Sequence, residues 1–100
     1  MPQLSNSQRD YLRREAHSLK PLVQIGKQGL TEAVQASIEQ ALSTRELIKV
    51  KFLDFRDQKQ ELSEELARNL GGILVSVIGN IAIIYRQHPD AEKRQIVLPR

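Results

Sequence analysis

Leu22-Val23-Gln24-Ile25-Gly26-Lys27-Gln28-Gly29-Leu30-Thr31 is the stretch on which the reading of this chain turns. A short apolar run, Leu22 to Ile25, gives way to two glycines that bracket a lysine and an amide, and Thr31 then starts a helix. The order is strand, tight glycine turn, helix N-terminus. Free backbone amides at a helix start, with the positive end of the helix dipole, favour an anion. Glycines let the backbone turn and let a ligand come close with no Cβ in the way. The candidate ligand is a phosphate. A Walker loop needs lysine and a hydroxyl residue directly after its last glycine, whereas here Leu30 and Thr31 follow and Lys27 lies between the glycines. A dinucleotide fingerprint needs a third glycine, and none follows. A G-x-x-G loop that clamps a nucleic-acid backbone fits Gly26-Lys27-Gln28-Gly29 better. An ordinary strand-to-helix turn with a glycine at each bend accounts for the same residues.

Charge is distributed in keeping with an anionic partner. The net charge is only +3, but residues 1–30 carry Arg9, Arg13, Arg14, Lys20 and Lys27 against Asp10 and Glu15. Residues 31–60 and 61–100 each balance five basic against five acidic side chains, so the whole excess lies on the segment that ends with the glycine loop. That is the local footprint expected of a nucleic-acid contact. The chain of 100 residues is expected to be one domain, with a core over about residues 4–86 and a C-terminal extension over 87–100. No apolar run approaches ~18 residues and no basic segment leads into an apolar block at the N-terminus, so neither a membrane span nor a secretory signal is expected. With no cysteine, disulfides, thiolate nucleophiles and cysteine-bound zinc are excluded. A cytoplasmic setting is the default expectation.

Along the chain, Ser5 with Gln8 makes a capping box, and Leu4, Tyr11, Leu12, Ala16 and Leu19 give one apolar stripe to a helix that Pro21 stops. Arg9, Arg13, His17 and Lys20 form a second stripe, widened by Arg14. Thr31 caps a second helix that buries Val34, Ile38, Ala41 and Leu42. Ser43-Thr44-Arg45 leads into a strand from Glu46 to Leu53, with Ile48, Val50 and Phe52 on one face and Lys49 and Lys51 on a wet one. Asp57 with Gln60 predicts another capping box, Leu62, Leu66 and Leu70 a third helix, and Gly71 its left-handed cap. Ile73 to Ile78 and Ile81 to Tyr85 are strands joined by a Gly79-Asn80 hairpin, and their nearly unbroken apolar character predicts central strands. Residues 87–94 read as a loop and Gln95 to Leu98 as a short extended piece. The result is an α/β chain of two-layer α+β type, in the order α-β-α-β-α-β-β, with a four-stranded mixed sheet. If both helical crossovers step the same way across the sheet, the second and third helices cover one face.

The segments LVQIGKQGLT (22–31), ELIKVKF (46–52) and LVSVIGNIAIIYR (74–86) closely resemble the YhbY family, a stand-alone bacterial form of the chloroplast RNA splicing and ribosome maturation (CRM) domain. The resemblance covers about residues 4–98. It implies a compact fold similar to the C-terminal domain of translation initiation factor three. It further implies association with precursors of the large ribosomal subunit, a role in their assembly, and an RNA contact through the family's GxxG loop and the neighbouring basic helix. Carried onto this sequence, the contact set is Arg9, Arg13, Arg14, His17, Lys20, Gly26, Lys27, Gln28, Gly29 and Thr31.

Catalysis is not expected. His17 and His88 lie in different elements with no partner at metal-ligand spacing, Glu61, Glu64 and Glu65 read as a solvated helix face, and Ser63 and Ser76 have no adjacent base. No cofactor is expected. DNA binding is disfavoured because the basic helix leads into Pro21 and a strand rather than a helix-turn-helix. The only aromatics are Tyr11, Phe52, Phe55 and Tyr85, of which at least two should be in the core, so a base-stacking platform is not expected. The expected partner is therefore RNA, held by phosphate and shape, with the protein a monomer. A protein-interaction module contacting a ribosomal protein or another assembly factor, through Lys49 and Lys51, is the alternative.

Overall fold

A computed structural model describes residues 4–99; residues 1–3 and 100, counted in the expected domain, lie outside it. Helix α1 spans Asn6–Ala16, β1 Val23–Ile25, α2 Glu32–Arg45, β2 Leu47–Phe52, α3 Lys59–Asn69, β3 Ile73–Ile78 and β4 Ile81–Tyr85. The order α-β-α-β-α-β-β is the one expected. Its start signals are local and hold: Gln8 N donates to Ser5 Oγ at 3.2 Å while Ser5 N donates to Gln8 Oε1 at 3.0 Å, closing the capping box. Val34 N donates to Thr31 Oγ1 at 3.1 Å at the start of α2. Gly71, at φ +67°, turns the chain out of α3.

The four strands lie in the order β1-β2-β4-β3. β1 pairs parallel with β2, and β4 pairs antiparallel with both β2 and β3. Both crossovers therefore step in one direction, and α2 and α3 share a face. There Ile38, Leu42 and Leu66 pack on Ile25, Ile48, Val50, Phe52, Ala82 and Ile84. Helix α1 takes the opposite face, where Leu12 and Ala16 pack on Leu47, Val75, Ile83 and Tyr85 beneath Ile96 and Leu98 of the C-terminal segment. Two-layer packing thus describes the α2/α3 side, and α1 with the tail adds a partial third layer. Phe52 and Tyr85 are the two aromatics sealed in the core.

Four local expectations are corrected. Strand β3 is an edge strand, not a central one. Its unbroken apolar run reflects burial against helices on both faces and a bulge between Leu74 and Ser76, where one extra residue turns Val75 and Ser76 toward the same side. Asp57 does not cap α3: the chain passes through left-handed Phe55 (φ +56°) and a 3-10 turn, Arg56–Gln58, before α3 begins without a side-chain cap. Helix α2 runs on through Ser43, Thr44 and Arg45. α1 ends at Ala16, so Leu19 lies beyond it and is exposed.

Glu46, expected at the start of β2, instead terminates α2 at φ +61° and is buried. Its carboxylate accepts the amides of His88 at 2.7 Å, Gln95 at 2.6 Å and Ile96 at 3.0 Å. The extended piece at 95–98 is therefore held by a side chain rather than by a strand ladder. Gln8 Nε2 on α1 donates to Pro99 O at 3.0 Å and closes the other end of this strap.

Candidate nucleic-acid interface

The loop 26–31 is shaped by three backbone bonds and one aromatic ring. Gly29 N donates to Gly26 O at 3.0 Å and Thr31 N to Gly29 O at 3.0 Å, and Leu53 N donates to Ile25 O at 2.9 Å where the strand ends. Gly29 is buried at φ +71°, and a Cβ on it would stand 3.4 Å from Cε2 of Phe55. That glycine is required by the fold. Gly26 differs: its φ lies outside the left-handed region, and a Cβ there would meet nothing within 4 Å. Lys27 and Gln28 project into solvent at the tip, and their amides make no hydrogen bond among the described residues. The start of α2 is partly satisfied from within, since Thr31 N and Val34 N both have protein acceptors. The amides of Glu32 and Ala33 in the first turn of α2, like those of Lys27 and Gln28, have no acceptor among the described residues.

Of the predicted cationic stripe, Arg13, Arg14, His17 and Lys20 are exposed. Arg13 lies in the last turn of α1 with Arg14, where cations oppose the negative end of the dipole, and pairs with Asp10. Arg9 turns the other way. Its Nη1 donates to the carbonyls of Leu74 at 2.8 Å and Val75 at 2.7 Å, which ties α1 to the bulge of β3.

The sheet contributes cations outside the predicted set. Gln24, Lys51, Ile81 and Ile78 are register partners in one row across all four strands, on the side α1 only partly covers. Lys49, one row further in, donates from Nζ to Leu19 O at 3.0 Å. It shares a cleft of about 150 Å³ with Arg13 of α1 and with His17 just past the helix end, above Ile78, Ile81 and Ile83. The alternation of β2 had already placed Lys49 and Lys51 on a wet face; their meeting with α1 is a tertiary fact that spacing does not carry. Residues 26–29 and the Gly79-Asn80 turn lie at the same end of the sheet, where Phe52 N donates to Asn80 O at 2.7 Å and Lys59 Nζ to Asn80 Oδ1 at 3.3 Å.

The two resolved pKa shifts lie elsewhere. The Arg86 guanidinium holds the Glu39 carboxyl below its usual range, and burial, reinforced by the charge of Glu46, pushes the Tyr85 phenol up. Among the described residues no three His, Asp or Glu side chains gather to hold a metal.

The class is a small α+β domain with a glycine loop at one sheet edge, a helix bearing basic residues and a partly open sheet face. Residues 4–86 match the CRS1/YhbY (CRM) domain, and the chain belongs to that family. It is 42% identical to an RNA-binding protein of Haemophilus influenzae over 100% of this chain and 99% of that one. With the "Probable RNA-binding protein YqeI" of Bacillus subtilis it shares 37% identity over 96% of this chain and 99% of that one. The solution structure of a hypothetical protein from Staphylococcus aureus matches at a TM-score of 0.82 with 41% identity, covering 97% of this chain and all of that one.

Proposed function

We propose that this is an RNA-binding protein that grips the phosphate backbone between the Gly26-Lys27-Gln28-Gly29 tip and the exposed side chains of Arg13, Arg14, His17 and Lys20. The observation that carries the reading is Gly26. Nothing in the fold requires a glycine there, while a ligand reaching the free amides of Lys27 and Gln28 would. The relatives named as RNA-binding proteins support it. Arg9 and Thr31 act indirectly, the first by fixing α1 to the sheet and the second by capping α2. By resemblance to the YhbY family, the RNA is the precursor of the large ribosomal subunit and the role is assistance in its assembly. The protein works as a cytoplasmic monomer, by binding and without catalysis or cofactor, and does not engage DNA.

The test is a salt titration of binding to a structured fragment of precursor ribosomal RNA. Four or so phosphate contacts give a slope of log K against log salt near about −3, with weak dependence on base sequence. A flat response, or tighter binding to an isolated ribosomal protein than to the naked RNA, would reject it in favour of a protein-interaction module.

A further inference from the structure

We infer that the cleft between α1 and the β2-β4-β3 surface holds one unpaired nucleotide of the bound RNA, its base on the isoleucine floor and its phosphate among Arg13, His17 and Lys49. The inference rests on the RNA-binding reading and adds to it a preference for RNA with an unpaired position.

Three observations carry it. The floor is aliphatic and open at one side: Ile78 is 57% exposed although it belongs to a strand, half-buried Ile81 lies beside it, and buried Ile83 closes the bottom. Exposure of a large β-branched side chain in the middle of a cationic surface is unexplained by packing. The cleft is also small. Its volume of about 150 Å³ suits a single planar ring, and Arg13, His17 and Ile78 also line a wider groove of about 590 Å³ beside it that leaves room for the rest of the ligand. Finally, the rim is cationic. Arg13, His17 and Lys49 surround the aliphatic patch, and in the wider groove the acid beside Arg13 is Asp10, already paired with it. A partner must therefore present an apolar face flanked by negative charge, which describes a nucleobase joined to its phosphates.

Position agrees with chemistry. The row Gln24-Lys51-Ile81-Ile78 leads from the strand that feeds the glycine loop to the cleft, a span of three strand spacings or roughly 14 Å. A backbone held at the loop tip reaches the cleft within a few nucleotides, with Lys51 between. Apolar side chains clamp extruded bases in other settings, and because every base has such a face the contact selects unpaired nucleotides without selecting sequence.

The experiment compares a single-stranded RNA with a duplex of the same length, at one salt concentration, using the wild-type protein, Ile78→Ser and Ile78→Lys. Ile78 is exposed at the end of its strand, so both variants should fold, and circular dichroism checks this. Expected is a loss of about fivefold for the single strand in Ile78→Ser, with duplex affinity unchanged. Ile78→Lys discriminates further: it adds a cation, yet should weaken the single strand while leaving or strengthening the duplex. An abasic site moved along the single strand should cost affinity at one position on the unaltered protein. Equal tightening of both RNAs by Ile78→Lys with a flat abasic scan would overturn the inference and leave the cleft to a protein partner. Wild-type protein that binds neither RNA would reject RNA binding itself, and this inference with it.

Discussion

Gly29 lies over the ring of Phe55, and a Cβ on Gly29 would come within 3.4 Å of Phe55 Cε2. Gly26, at the other end of the same loop, faces open space. Two glycines that look equivalent in sequence are thus held by different demands. Gly29→Ala should lose about 1 kcal/mol or more from the left-handed backbone alone. Gly26→Ala should melt like the parent, yet bind RNA at least about tenfold more weakly, a loss of about 1.4 kcal/mol. Thermal melts paired with filter binding check both, and unchanged RNA affinity in Gly26→Ala would refute the loop contact.

Arg13 and Arg14 occupy the last turn of α1, so acidic replacements there would oppose the helix dipole as well as repel RNA. Glutamine separates the two effects. Arg13→Gln with Arg14→Gln should reduce the salt slope by roughly 1.4–1.8, two phosphate contacts' worth. Stability should fall by no more than about 1 kcal/mol, since the Arg13–Asp10 pair is exposed. A salt slope equal to that of the parent would show that neither arginine touches phosphate.

Glu46 holds three backbone amides of the tail from inside the fold. Glu46→Ala leaves them without an acceptor and should cost about 3 kcal/mol. Limited proteolysis should then cut first within residues 87–98. A tail that stays protected in the variant would show that Ile96 and Leu98 alone hold it.

Tyr85 is sealed in the core with its hydroxyl unpartnered among the described residues. Tyr85→Phe removes that desolvation cost and should be neutral or stabilising by up to about 1 kcal/mol. Burial, first, and the Glu46 charge, second, raise the phenol's pKa above its unfolded value of 10.0. The stability tied to the protonated phenol is therefore complete below that value and is lost as pH rises through the folded one. Above pH of about 10 the phenylalanine variant should gain on the parent in melting temperature.

Glu39 behaves oppositely. Its hydrogen bond to Arg86, opposed by partial burial, lowers its pKa from 4.5, so the pair's contribution exists above that value and is lost as pH falls through the folded one. The difference in melting temperature between the parent and Glu39→Gln should be constant near neutrality and vanish in acid. A difference that persists under strongly acidic conditions would contradict the ion pair.

The elements that were legible in sequence are those whose signals are local. Ser5 with Gln8, Thr31 at the head of α2, and the turn at Gly79-Asn80 are decided by neighbours within a few residues, and each stands where it was expected. Asp57 carried the same kind of signal and failed, because the left-handed turn at Phe55 that packs the ring under Gly29 reset where α3 could begin. Apolar density in β3 reported burial of its faces and was silent about its edge. Arg9 and Glu46 each bond backbone atoms far along the chain, 65 and up to 50 residues away, and no periodicity encodes such a reach. The glycine loop and the basic residues of α1 were each legible in the sequence. The cleft that joins Arg13 to Lys49 exists only once the sheet has assembled.

The bulge of β3 has a consequence for how the molecule meets copies of itself. A strand at the rim of a sheet offers main-chain acceptors to any passing extended chain, and an apolar strand such as Ile73–Ile78 is the kind most prone to accept one. Here the rim is bent at Leu74 to Ser76, and the guanidinium of Arg9 already occupies two of its carbonyls. With two acceptors taken and the strand bent, this rim is a poorer template for strand addition by a second copy.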